Sequence, residues 1–181
     1  YNLCVRTGAM DVIGSMITSI SSDRRLLALL VAWCFGGFME GMAGFGTAVA
    51  IPAGMLAGLG FEAVPAVLIC LLANGVPTPY GSIGIPTVSV ADLVGLDSLH
   101  LATVQLVQLA PFFVAMPLLI VLVAGRVADD QGNVASVAER LHGVAGVALL
   151  SGVSFVGAAL VVAMFVGPEL AVVCLLYTSP S

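Results

Sequence analysis

The sequence predicts an all-α integral membrane protein, a multi-span helical bundle with discontinuous helices and a re-entrant hairpin. Three observations predict it. Of 181 residues, 60% are hydrophobic and 8% charged, and the mean hydropathy is +1.17, whereas soluble domains are about 25% charged. Four runs, Gly41–Phe61, Ala63–Ala91, Ser98–Gly125 and Leu141–Pro168, contain no Asp, Glu, Lys or Arg. Two apolar stretches are broken by clusters of Gly and Pro.

These features exclude an ordinary soluble enzyme, a disordered chain and a nucleic-acid-binding module. The five basic residues, Arg6, Arg24, Arg25, Arg126 and Arg140, form no patch that could track phosphates. An outer-membrane barrel would alternate apolar and polar residues along each strand, and these runs do not. Lipid leaves no partner for open backbone, so the runs are helices. No CxxC or Cys/His pair at metal spacing occurs, so no cofactor or metal is expected. Cys4, Cys34, Cys70 and Cys174 are read as small packing residues.

Residues 1–25 read as an interfacial segment or the end of an earlier span. Tyr1 suggests a chain that begins inside an element. Residues 26–97 hold two breaks. Leu26–Met39 stops at Glu40-Gly-Met-Ala-Gly-Phe-Gly46 and resumes at Thr47–Gly60. Ala63–Ala73 stops at Asn74-Gly-Val-Pro-Thr-Pro-Tyr-Gly81 and resumes near Ile83. At about 1.5 Å per residue each half is too short for a hydrocarbon core about 30 Å thick. Residues 101–125 read as a full span with kinks at Pro111 and Pro117. Residues 126–140 read as a polar loop, 141–170 as a second full span rich in small residues, and 175–181 as a non-native tail. If Leu26–Gly60 is a re-entrant hairpin and Ala63–Ala91 crosses once, every Arg falls on one side, which the positive-inside rule makes cytoplasmic. Trp33 is read as packing, Glu62, Asp92 and Asp97 as solvated carboxylates, and His100 and His142 as interfacial anchors. Glu169 marks the next boundary.

Interrupted helices point to a transport site. A helix N-terminus carries about half a positive charge and binds anions without a basic side chain. That matters here, because no Arg or Lys occurs between Arg25 and Arg126. Thr47, Asn74, Thr78, Tyr80 and Ser82 supply donors beside the breaks. Glu40 lies between two apolar halves, and an intramembrane carboxylate is a functional candidate by default; it is read either as a proton carrier or as an acceptor for the glycine-rich loop.

The breaks resemble the L-lactate permease family of bacterial secondary transporters. Gly36-Gly-Phe-Met-Glu-Gly-Met-Ala-Gly-Phe-Gly-Thr47 is similar to that family's GxFxEGxAGFG signature. Gly58-Leu-Gly-Phe61, Ala73-Asn-Gly-Val-Pro77, Tyr80-Gly-Ser-Ile-Gly-Ile-Pro86, Val94-Gly-Leu-Asp97 and Gly167-Pro-Glu-Leu170 follow in the family's order, and Val5-Arg-Thr-Gly8 to Asp23-Arg24 also looks like it. The resemblance implies a transporter fragment: proton-coupled uptake of lactate or related 2-hydroxy monocarboxylates such as glycolate, by a longer multi-pass protein of the bacterial inner membrane. A second half with its own broken helices, and an elevator-like motion, are implied too. The expected partners are the organic anion, the proton, the lipid bilayer and the remainder of the chain. The substrate-binding set expected from the two breaks is Gly44, Phe45, Gly46, Thr47, Asn74, Gly75, Pro77, Thr78, Tyr80, Gly81 and Ser82, with Glu40 for the proton. Ala48 stands where the family usually has Pro, with Pro52 after Ile51 instead. Gly75 replaces the Thr of the family's NTAP, and Pro79-Tyr80 departs from its usual pattern. The lost hydroxyl bears on the substrate rather than the fold. Competing expectations are a channel or passive anion pore, a carrier of a different organic anion, and a non-catalytic membrane subunit. An intramembrane enzyme is disfavoured, because no nucleophile–base pair falls in adjacent runs.

Overall fold

The computed structural model describes Val12, Ser21 and residues 23–44, 46–127 and 141–165. Phe45, Arg6, Arg140, Cys4, Cys174 and Glu169 lie outside the described residues, as do most of 1–22 and all of 128–140 and 166–181, so the expected polar loop and non-native tail fall largely there. The described chain is helical: α1 (Arg24–Met42), α2 (Thr47–Gly58), α3 (Ala63–Asn74), a 3₁₀ turn (Thr78–Tyr80), α4 (Gly81–Val94), α5 (Ser98–Val127) and α6 (Ala145–Phe165).

Asp23 starts α1 by accepting a hydrogen bond from the Arg25 N–H at 2.9 Å, and it pairs with the Arg25 guanidinium at 2.7 Å. This helix corrects the expected first break. Its 19 residues measure about 28 Å, long enough to cross. It passes through Glu40 and Gly41 and ends only at Met42, with a π-helical stretch over Leu29–Phe35. Glycines end a helix only where the chain turns left-handed, and here that is at Gly44 (φ +53°) and Gly46 (φ +90°). Gly36 and Gly37 stay helical and buried. A Cβ on Gly36 would sit 3.5 Å from the Ala48 carbonyl and 3.6 Å from Pro52 of α2, so the missing side chain lets the two helices close up.

Helix α2 runs back along α1. The Arg24 guanidinium donates to the Gly60 carbonyl at 2.6 Å and lies 5.3 Å from the Phe61 ring centre. The start of α1 and the exit of α2 therefore share one end of the molecule. Helix α2 has twelve residues and covers about 18 Å, too short to cross a hydrocarbon core about 30 Å thick by itself.

Helices α3 and α4 are bent by 68° across their break. The break extends further than the Gly and Pro residues mark. Ser82 (φ 48°), Ile83 (φ 60°) and Gly84 (φ 75°) are all left-handed. For the β-branched Ile83 this conformation costs about 1–2 kcal/mol.

Helix α5 continues through both Pro111 and Pro117 without interruption. It packs along α6 and against α1. Pro117 leaves the Phe113 carbonyl without its helical donor, and Gly152 of α6 meets that place. A Cβ there would stand 2.9 Å from the Phe113 carbonyl oxygen and 2.9 Å from the Val114 Cα. Gly36 faces the Ala48 carbonyl that Pro52 frees in the same way. Trp33, Phe113 and Phe155 join α1, α5 and α6, with ring centres 4.6–6.3 Å apart and each side chain at most 2% exposed. Trp33 is thus a packing residue. Cys34 and Cys70 are buried in the same core.

Arg25 also reaches the His142 carbonyl, at 3.5 Å. Tyr80, at the level of the breaks, is tied to Ala102, whereas Phe113 meets Trp33 nearer the start of α1. Helix α5 therefore descends opposite to α1 and brings Arg126 towards the end that carries Arg24 and Arg25. Helix α1, Ser98–Arg126, Ala145–Val162 and the bent α3–α4 pair are apolar and long enough to cross a membrane. The exposed faces of α3, α5 and α6 carry Leu71, Val107, Phe112, Leu150 and Val153, as lipid-facing surfaces do.

Candidate functional site

The two breaks meet. Glu40 sits in the last turn of α1, 3% exposed. Gly81 begins α4 directly against it, and a Cβ there would collide with Glu40 Oε1. Gly81 is therefore glycine for room: its φ of −62° suits any residue. Asn74, the last residue of α3, lines the same pocket as the Glu40 carboxylate. The Ser82 hydroxyl donates to the Ala43 carbonyl at 3.2 Å, and Gly44 packs directly on Ser82. Thr78 donates to the Asn74 carbonyl at 2.7 Å.

These groups enclose a pocket of about 160 Å³ lined by Glu40, Gly46, Asn74, Thr78, Gly81, Ser82 and Pro86. It has room for several waters, or for a small organic anion. The last turns of two helices contribute to it, α1 through Glu40 and α3 through Asn74. Gly46, the residue that opens α2, also lines it, so the partial positive charge of the α2 N-terminus faces the same space. Glu40 Oε2 and Asn74 Oδ1 are buried with no hydrogen-bond partner.

Six of the expected site residues line this pocket: Glu40, Gly46, Asn74, Thr78, Gly81 and Ser82. Gly44 supports it from behind Ser82. Thr47, Gly75 and Pro77 lie in the break segments but do not line the pocket. Tyr80 has a different place from the one expected: it is 1% exposed, and its hydroxyl donates to the Ala102 carbonyl at 2.7 Å. It anchors the 3₁₀ turn on α5 and turns no donor to the pocket.

The sequence reading missed three residues. Pro86 completes the lining. Thr87 lies 2.7 Å from the Pro79 carbonyl and 2.8 Å from the side-chain amide of Gln105. Its single proton serves one of two acceptors, the Pro79 carbonyl or Gln105 Oε1. The contact places Gln105 where α5 meets the second break. An amide inside an otherwise uncharged span was the available signal. Asp92, Asp97, Glu62, His100 and His142 are exposed, and Asp97 caps α5 through the His100 N–H at 2.9 Å.

Residues 1–176 match the L-lactate permease family model. The chain is 41% identical over 170 residues to an L-lactate permease of Streptococcus iniae, covering 94% of this chain and 34% of that protein. It is 40% identical over 171 residues to an L-lactate permease of Bacillus subtilis (strain 168), covering 94% and 28%. It is 35% identical over 170 residues to the glycolate permease GlcA of Escherichia coli (strain K12), again covering 94% and 28%. The chain thus spans about a third of the length of these curated relatives. No solved structure matches it.

Proposed function

The chain belongs to the L-lactate permease family, and we propose that it forms part of a secondary carrier for L-lactate or a related 2-hydroxy monocarboxylate such as glycolate, taken up with a proton. The convergence of Glu40, Asn74 and Gly81 from two separate helix breaks on one small pocket carries this reading. The substrate carboxylate lies on the Gly46 side, against the N-terminal turn of α2. Asn74, Thr78 and Ser82 meet its hydroxyl. Glu40 carries the proton.

Coupling follows from charge. A pocket of 160 Å³ is only about 7 Å across. Two carboxylates about 4–8 Å apart repel by about 2–4 kcal/mol at an effective dielectric near 20. An ionised Glu40 therefore weakens anion binding by a factor of roughly 30 to 1,000, and a proton on Glu40 removes that penalty. Proton and anion then favour each other's binding by that factor. The protein lies in the bacterial inner membrane, with the arginine end cytoplasmic.

The test is uptake of radiolabelled L-lactate by the full-length protein in cells lacking their own lactate carriers, with and without a protonophore. Accumulation that collapses with the protonophore is expected. Accumulation that survives it overturns proton coupling, and flux that never exceeds equilibrium means a passive pore. Absence of lactate flux, with the protein present in the membrane, moves the substrate to another organic anion.

A further inference from the structure

We propose that α1 and α6 enclose a second binding site, one for a small uncharged alcohol whose hydroxyl pairs with Ser151. A cavity of about 200 Å³ lies between the two helices. Leu26, Leu29, Leu30 and Cys34 line it from α1, Val147 and Ser151 from α6, and Ser21 from just before α1. It shares no residue with the pocket of Glu40 and Asn74. Arg25 reaches the His142 carbonyl at the same end of these helices, so the cavity lies in the half of the α1–α6 seam nearer the arginines.

Two observations make it a site rather than a packing gap. The first is Ser151, which is 3% exposed and whose hydroxyl has no hydrogen-bond partner. A serine inside a helix can turn its proton back to the carbonyl four residues earlier; this one does not. A buried hydroxyl left unpaired is unfavourable, and an oxygen on a ligand answers it. The second is the opposite wall. Leu29, Leu30 and Cys34 fall in the π-helical stretch Leu29–Phe35. Its bonds join residues five apart, which brings Leu29 and Cys34 to one face. Such turns are rare and collect at functional sites.

Size and polarity name the occupant. An apolar cavity of about 150 Å³ stays dry and holds a six-carbon ring, so this one has room for about eight non-hydrogen atoms. No charged side chain lines it, and an ion brought there would lose its hydration without a partner. Water needs about two to four polar partners and would meet mostly leucine. The Ser21 hydroxyl already accepts from the Asp23 N–H at 3.0 Å. A hydroxyl on a short carbon body meets both demands: it exchanges a hydrogen bond with Ser151, and its carbons fill the apolar space.

The experiment is photolabelling of the purified full-length protein with an octanol that carries a diazirine. Adducts are located by peptide mass spectrometry, with and without n-hexanol as competitor. Saturable adducts on the cavity residues of α1 and α6, displaced by n-hexanol and not by hexanoate at neutral pH, are expected. Val147→Phe fills the cavity and should abolish them. In Ser151→Ala the n-hexanol concentration for half displacement should rise about fivefold. That small change keeps the test open if Val147→Phe does not fold. Adducts confined to outward-facing residues such as Leu71, Val107 and Phe112, adducts that n-hexanol fails to displace, or displacement unchanged in Ser151→Ala overturn the site. The readout needs no transport, so its failure is separate from that of the carrier reading.

Discussion

Gly81→Ala isolates the meeting of the two breaks. The backbone at Gly81, φ −62° and ψ 158°, accepts alanine without strain. The three atoms nearest an added methyl all belong to Glu40: it strikes Oε1 and lies 3.2 Å from the carboxyl carbon and 3.5 Å from Cγ. To restore ordinary contact the carboxylate must move by about 1 Å, and the space open to it is the pocket itself. A displacement of about 1 Å at a site of chemistry costs on the order of a hundredfold, so initial uptake of L-lactate should fall about ten- to a hundredfold. Gly75→Ala is the control within the same break. Its φ is −62° and the nearest atoms to an added methyl are 3.7 Å away, so uptake should stay within about twofold. The cause can be checked by shortening Glu40. Glu40→Asp withdraws the carboxylate by one carbon–carbon bond, about 1.5 Å. In the double variant it should recover part of the loss, giving a coupling that two independent lesions would not show. The assay is radiolabelled uptake by the full-length protein, normalised to the amount in the membrane. Wild-type rates in Gly81→Ala, or strictly multiplicative losses in the pair, would refute direct contact between Gly81 and Glu40 as the reason for glycine.

Other expectations concern the frame. Gly152→Ala should destabilise the purified full-length protein by about 1–3 kcal/mol, because the methyl meets fixed backbone of α5 at 2.9 Å. Gly157→Ala on the same helix meets nothing within 4 Å and should be neutral or stabilising by up to about 1 kcal/mol; equal melting temperatures for the two would count against the close α5–α6 contact. Tyr80→Phe removes the 2.7 Å bond to the Ala102 carbonyl and should cost about 0.5–1.5 kcal/mol in chemical denaturation, with the proton dependence of uptake unchanged. The Arg25 guanidinium, hydrogen-bonded to Asp23, holds that carboxyl below its ordinary value of 3.8. A depressed folded-state pKa stabilises above the unfolded value and is lost as pH falls through the folded one. Asp23→Asn keeps a capping side chain, so it should lower Tm slightly at neutral pH, with the gap to wild type closing below about pH 4. The pair is part-exposed, so the effect is small.

Some of this arrangement was legible in the sequence for definite reasons. Absence of charge located the spans, because lipid enforces that rule everywhere. The meeting of Glu40 with Asn74, Thr78 and Ser82 was legible as two breaks, since polar residues among Gly and Pro within apolar runs have few other uses. The position of the first break was not. Gly36, Gly37, Gly41, Gly44 and Gly46 look alike in sequence. Only the helix they pack against decides which stay helical and which turn left-handed. The left-handed Ser82 and Ile83 run against local preference and are held by contacts from elsewhere, Ala43 and Gly44 among them. Tyr80 looked like a site donor because nothing in sequence shows that its hydroxyl is spent on α5. Gln105 was missed because its partner Thr87 lies 18 positions away, across a turn that only the fold closes.

The absence of Arg and Lys between Arg25 and Arg126 has a physical consequence for coupling. A guanidinium beside this pocket would hold an anion at any pH and in any salt, and would pair with Glu40 when the anion left. Binding would then be indifferent to the proton. Among the described residues the fixed positive potential at the pocket is the partial charge of a helix end, about half a unit, while an ionised Glu40 would supply a full negative charge that a proton can cancel. The sum favours an anion only once that cancellation has occurred. In the carrier we propose, a site built from one titratable carboxylate and backbone dipoles would make anion affinity conditional on the proton, and by reciprocity proton affinity conditional on the anion. The glycines serve the same end, because Gly44 and Gly81 let the two breaks approach until one carboxylate commands the whole pocket.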